Sequence, residues 1–158
     1  MVGERDVRRA TVDDAGAVAR LLHDFNTEYD VETPGPTVLA ERLTTLLAGP
    51  HTLAILAGGP PVGVALVTLR PNVWFAGPVA LLDELYVVPA ERGAGIGSAI
   101  IRHLLAAMAV TGVERVEINV DEEDFDARRF YERHGFSATD PDTGEGALSY
   151  SRSVVADG

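Results

Sequence analysis

The sequence predicts one α/β domain spanning residues 1–158, a mixed and mostly antiparallel central sheet flanked by helices. Three observations carry that expectation. Two apolar runs, 52–57 and 62–69, are separated by Gly58-Gly59-Pro60-Pro61, turn chemistry that marks a hairpin. A third run, Ala80 to Val88, passes through Pro89 into a segment of alternating glycines. Beyond it Ile96, Ile100, Leu104 and Met108 recur every four residues, with Ile101 and Leu105 widening the stripe, so a helix with one core-facing side follows the strand.

The remaining elements follow in order. A strand at Val7 to Ala10 leads to Thr11-Val12-Asp13-Asp14, where Thr11 can cap a helix and Asp14 occupies a position favoured by the helix dipole. Ala15, Val18, Ala19, Leu22, Phe25 and Tyr29 keep helical spacing. Pro34-Gly35-Pro36 breaks the chain before a second helix carrying Leu39, Leu43, Leu46 and Leu47, which Gly49-Pro50 stops. After the long glycine-led helix, Gly112 ends it, Val116 to Val120 give another strand, and residues 126–134 form a short helix closed by Gly135. Phe136 to Ala138 and Ala147 to Val154 are expected as the last strands. Alternating strands and helices of this kind make a sheet with helices packed on it.

Composition narrows the function classes. The chain has 46% hydrophobic and 23% charged residues, and no apolar run approaches the roughly 20 residues of a membrane span. The opening residues Met1 to Asp6 lack the apolar stretch of a signal peptide, so a cytoplasmic location and no membrane partner are expected. With no cysteine, disulfides, thiolate-zinc sites and a cysteine nucleophile are excluded. His23, His51, His103 and His134 have no metal-like spacing, and no metal is expected. The net charge is -11, and all 13 basic residues are arginine. Such a surface repels phosphate backbones, which argues against nucleic acid as a partner and mildly favours cationic ones.

The informative stretch is Leu85-Tyr86-Val87-Val88-Pro89-Ala90-Glu91-Arg92-Gly93-Ala94-Gly95-Ile96-Gly97-Ser98. Glycine permits backbone conformations and close ligand approach that a Cβ blocks, and a helix starting here points its first N–H groups and positive dipole end outward. That arrangement suits a diphosphate. Arg92 either reinforces the anion site or fixes the turn through backbone hydrogen bonds. A dinucleotide fingerprint fits less well, because Ile100 stands where the last glycine would fall after Gly95-Ile96-Gly97, and no G-K-S or G-K-T is present for a nucleotide-triphosphate loop.

At these residues the chain resembles the Gcn5-related N-acetyltransferase (GNAT) superfamily, whose pattern of Arg or Gln, two residues, Gly, one residue, then Gly or Ala is matched by Arg92, Gly95 and Gly97. A second block is similar to the family's Asn-x-x-Ala-x-x-Phe-Tyr-Glu-x-x-Gly-Phe, reading Asp124 to Phe136 with only the Asn replaced. The resemblance covers nearly the whole chain. It implies a sheet splayed between two central strands, with acetyl-CoA as acyl donor in the opening. The pantetheine arm would pair with the main chain of Leu85, Tyr86 and Val87, as an added strand does at a sheet edge. The diphosphate would lie on the N–H groups of Gly93, Ala94, Gly95, Ile96, Gly97 and Ser98. Asp124 stands where relatives often hydrogen-bond the cofactor with Asn, and an ionised carboxylate there can accept but not donate.

The resemblance also implies the activity, transfer of an acetyl group to a primary amine of a small molecule, peptide or protein, by a monomer or a homodimer. Tyr131 matches the family's general acid, and with Ala127, Phe130 and His134 it lies on one helical face; a phenol near a pKa of about 10 carries its proton at neutral pH. Glu84, preceding Leu85 in the strand, is the candidate base, and it points opposite to Asp83 unless a bulge intervenes. A structural carboxylate, with the amine deprotonated through water, is the competing reading of Glu84. An acyl-CoA-binding sensor without turnover is the alternative function. Glu28, Asp30 and Glu32 between the first two helices, with Glu84, suggest a cleft of negative potential that draws cationic amines.

Overall fold

The computed structural model describes residues 2–140, 142–146 and 150–154. It shows the expected class, an α/β domain with a five-stranded mixed sheet flanked by helices. The chain clusters into two compact units, Met1–Asn119 and Val120–Gly158.

In the first unit, β1 (Val7–Arg9) leads through a short 3-10 turn, Val12–Asp14, into α1 (Ala15–Glu28). Asp14 Oδ2 accepts from Thr11 N at 2.8 Å and from Thr11 Oγ1 at 3.3 Å. Arg8 forks onto the same carboxylate with two 2.8 Å bonds. The Arg8 hydrogen bonds first, and the Thr11 backbone second, hold the Asp14 carboxyl far below the usual carboxylate range. α2 (Pro36–Ala48) starts on a proline, whose missing N–H costs nothing in a first turn, after Gly35 at φ +95°.

β2 (Thr52–Ala57), β3 (Gly63–Arg70) and β4 (Val79–Val87) form an antiparallel meander, and β1 adds antiparallel to β2. α3 (Ile96–Val110) then crosses over to β5 (Val116–Ile118), which lies parallel to β4. The spatial order is β1-β2-β3-β4-β5. Strand alternation divides the core into two layers. Ala54, Leu56, Val64 and Tyr86 join Val18, Leu21 and Leu22 of α1 and Leu43 of α2 on one face. On the other, Gly63 lies so close to α3 that an added Cβ would come within 3.0 Å of Ile100 and 3.2 Å of Ile96. Ile100, Ile101 and Leu104 of α3 are fully buried, and β2 is buried along its whole length. The segment before β4 is tied down as well: a Cβ on Gly77 would sit 2.3 Å from the carbonyl oxygen of Gly112, just past α3.

In the second unit, α4 (Phe125–Arg133) is capped at both ends. Asp124 Oδ1 accepts from Ala127 N at 3.1 Å. At the other end Gly135, at φ +87°, donates to Glu132 O at 3.0 Å, and Phe136 N donates to Tyr131 O at 3.1 Å. The pair of bonds is a Schellman stop, and its usual apolar contact is present as Tyr131 against Phe136, ring centroids 5.7 Å apart.

That stop corrects the expected strand at Phe136 to Ala138. The Phe136 N–H is spent on closing α4, and the only pairing nearby among the described residues is an isolated antiparallel bridge between Thr139 and Gly146. Of the strand expected at Ala147 to Val154, residues 147–149 lie outside the described residues and 150–154 have no strand pairing. The first strand ends at Arg9 rather than Ala10, although Ala10 N still donates to Ala54 O at 2.8 Å. β5 stops at Ile118 rather than Val120.

Candidate active site

β4 carries the first half of the site. It pairs with β5 only over Ala80, Leu81 and Leu82, then runs on to Val87, so among the described residues the β5-side edge of Leu85, Tyr86 and Val87 has no partner strand. This is the splay that leaves main-chain groups available to an extended ligand.

The strand is also irregular where the carboxylates stand. Leu66 of β3 faces Glu84 whereas Val67 faces Leu82, which leaves Asp83 as the extra residue of a β-bulge. Leu66 packs on the α1/α2 core, so its partner Glu84 shares that face with Tyr86. Thr68, two residues beyond Leu66, is on the same side, and its hydroxyl donates to the Asp83 carboxylate in a short contact. Asp83 and Glu84 are therefore neighbours on one face rather than opposed. Burial first, and the Asp83 charge second, raise the Glu84 carboxyl above its ordinary value. A half-buried carboxylate with raised proton affinity is suited to accept a proton.

The turn carries the second half. Pro89–Glu91 forms a 3-10 turn, Arg92 follows in extended conformation, and Gly93 and Gly95 have φ of +81° and +83°. An added Cβ at either glycine would meet nothing within 4 Å, so the space before them is open. The first internal bond of α3 runs from Ala99 N to Gly95 O at 3.0 Å, and the N–H groups of Ile96, Gly97 and Ser98 precede it at the positive end of a helix four turns long. An open, glycine-floored helix N-terminus beside a free strand edge fits a diphosphate with an extended arm, the shape of acetyl-CoA. Arg92 does not reach into that space: Nε donates to Val87 O at 3.0 Å, and Nη2 donates to both oxygens of Glu28 at 2.9 and 2.7 Å.

In the second unit Tyr131 is buried, its ring 5.1 Å edge-on from Phe130. Asp124 holds the start of the same helix. The first unit thus brings together Glu84, Leu85, Tyr86, Val87, Arg92 and residues 93–98, and the second holds Tyr131 and Asp124. Sequence reasoning left the bulge at Asp83 open and missed two features, the Thr68 contact and the Glu28–Arg92 pair. Two successive acids inside an otherwise apolar strand were the available signal for the bulge; nothing in the spacing of residues 28 and 92 announces the last.

A splayed α/β sheet with an open glycine turn after its fourth strand is the architecture of the GNAT type. Residues 18–136 match the model of the acetyltransferase (GNAT) family, and the chain belongs to that family. It is an N-acetyltransferase, a transferase of the acyltransferase class, and the family takes acetyl-CoA as donor. An aminoglycoside N(6')-acetyltransferase type 1 of Stenotrophomonas maltophilia is 32% identical over 140 residues, 85% of this chain and 87% of that protein. A mycothiol acetyltransferase of Beutenbergia cavernae is 36% identical over 72 residues, which are 44% of this chain and only 24% of that longer protein. A crystal structure of a candidate acetyltransferase from Arthrobacter sp. FB24 superposes with a TM-score of 0.87 at 52% identity, covering 94% of this chain and 95% of that one. Among the described residues no group of side chains could hold a metal ion, and no helix is long and apolar enough to cross a membrane.

Proposed function

We propose that this chain, as one N-acetyltransferase domain over residues 1–158 working in the cytoplasm, transfers the acetyl group of acetyl-CoA to a primary amine, and that the amine belongs to a small cationic molecule or a basic peptide terminus. The observation that carries the reading is the open glycine turn at the start of α3, next to the end of β4 that has no partner strand on its β5 side among the described residues.

Each residue then has a task. The N–H groups from Gly93 to Ser98 receive the diphosphate. The main chain of Leu85, Tyr86 and Val87 aligns the pantetheine arm. Acetyl-CoA supplies an acyl thioester, whose C–S bond breaks as the N–C bond forms. Glu84 takes the proton lost by the amine, its affinity for that proton raised by burial and by Asp83. Tyr131 returns a proton to the departing thiolate. Asp124 serves α4 as its cap, and it accepts no hydrogen-bonding role toward the cofactor beyond what an ionised carboxylate allows.

A cationic acceptor is supported by the net charge of -11 and by the exposed Asp24, Asp30 and Glu32 on and after the end of α1. Glu28 contributes less than its sequence position suggests, because Arg92 compensates its charge. The aminoglycoside-acetylating relative is consistent with that chemistry.

Thiol release from acetyl-CoA across an amine panel, together with a thermal shift at millimolar acetyl-CoA, tests the reading. A raised melting temperature and amine-dependent thiol release are expected, with Tyr131→Phe lowering turnover by roughly 10²-fold or more at unchanged acetyl-CoA affinity. Binding without turnover on any amine would make the protein an acyl-CoA sensor. Neither binding nor turnover would remove the reading.

A further inference from the structure

The end of α1 and the start of the glycine turn meet through the side chain of Arg92. Nε reaches the carbonyl of Val87, the last residue of β4, and Nη2 reaches both carboxylate oxygens of Glu28, the last residue of α1. The guanidinium carbon lies 5.6 Å over the centre of the Tyr86 ring. That ring is stacked on Phe25 of α1, 5.0 Å between centroids and 13° between planes, and Phe25 meets Tyr29 edge-on at 5.5 Å. So α1 supplies the charge that holds Arg92 and the ring that supports its floor.

The two glycines that follow Arg92 in the turn have no side chain to hold them. Gly93 and Gly95 are exposed and adopt positive φ, and no neighbouring atom lies within 4 Å of where their side chains would be. A segment with that much backbone freedom loses conformational entropy when a ligand orders it, and a fixed starting residue reduces the loss.

We propose that Glu28 is a positioning residue for acetyl-CoA: by holding Arg92 against Val87 it fixes the start of the turn in the conformation that receives the diphosphate, and Arg92 acts as a strut rather than as the diphosphate's counter-ion. The proposal rests on the acetyl-CoA reading above. One geometric fact favours the strut. The guanidinium already has donors committed to two elements, and swinging it toward a diphosphate would strip Glu28 of its partner and Val87 O of its bond.

Calorimetric titration of acetyl-CoA into wild type, Glu28→Gln, Arg92→Gln and the double variant tests it. The strut predicts that each single variant weakens binding by up to about tenfold and that the double is no weaker than either. It also predicts that the rate at saturating acetyl-CoA changes less than about twofold in Glu28→Gln while KM for acetyl-CoA rises. Melting temperature is followed alongside, and Arg92→Lys, which keeps the charge but cannot span Val87 and Glu28, replaces Arg92→Gln if the latter folds poorly. Unchanged or tighter binding in Glu28→Gln, with weaker binding in the Arg92 variant, would make Arg92 the counter-ion and overturn the strut. Additive losses in the double variant would overturn it too. Failure of wild type to bind acetyl-CoA would overturn the functional reading itself, a result distinct from either.

Discussion

Glu84 illustrates how a single residue's environment carries both its chemistry and its cost. A carboxyl whose proton affinity is raised by folding is favoured in its neutral form, so its contribution to stability is fully present below the unfolded value and is lost as pH rises through the folded one. At neutral pH, above the unfolded value, that preference for the neutral form is a burden on the fold. Glu84→Gln is therefore expected to melt higher than wild type at pH 7, with the difference closing toward pH 3, below the ordinary Glu pKa of about 4.3. The same variant should lose roughly 10²-fold or more in turnover. Melting curves at the two pH values check the first claim, and equal differences at both would show that Glu84 titrates normally. The candidate itself was legible in the sequence from its place before Leu85. Its orientation was not, because only the register of β3 against β4 shows that Asp83 is the extra residue and that both acids share a face.

Among the elements, the helix ends were the most readable and the strand ends the least. Thr11 and Asp14 signalled the approach to α1, and Arg8, invisible to a capping rule, turned out to clamp the same carboxylate from β1. Asp14 has the opposite pH signature to Glu84: its carboxyl is lowered by folding, so its stabilisation is present above the unfolded value and disappears as pH falls through the folded one. Asp14→Asn should cost about 1 kcal/mol at pH 7, the usual worth of a helix-start partner, and much less near pH 2. Urea titration at both values measures it, and a pH-independent cost would assign the loss to packing. The Gly135-Phe136 pair shows where the reading failed and why. Phe136 has strand propensity, but its N–H and ring are both used to end α4, and that bond is decided by the left-handed turn at Gly135 rather than by any preference of Phe136. The motif's glycine and phenylalanine thus have a structural explanation, fixing the backbone of Tyr131 at the last turn of its helix.

At the scale of the whole molecule, the class of fold followed from the order of elements, since hairpin, strand, glycine turn and amphipathic helix leave little choice of architecture. The acceptor did not follow, because charge on a surface is not an address until it is known which charges are already paired: Glu28 is paired with Arg92, and the exposed Asp30 has no ion pair among the described residues. The net charge of -11 still predicts a bulk property. For a polycationic amine kcat/KM should fall as salt rises from low to high ionic strength, whereas a neutral-bodied monoamine should respond much less, because salt screens steering charges beyond about 10 Å at 0.1 M. Equal salt responses would rule out electrostatic selection of the acceptor. The splay between β4 and β5 has a further consequence, for colloidal behaviour. A bare strand edge rich in leucine and valine is a template on which a second chain can pair and begin to aggregate. Here the bulge interrupts the repeat that such pairing needs, and the adjacent Asp83 and Glu84 would set like charges against like in an approaching copy, two features that disfavour pairing along this edge.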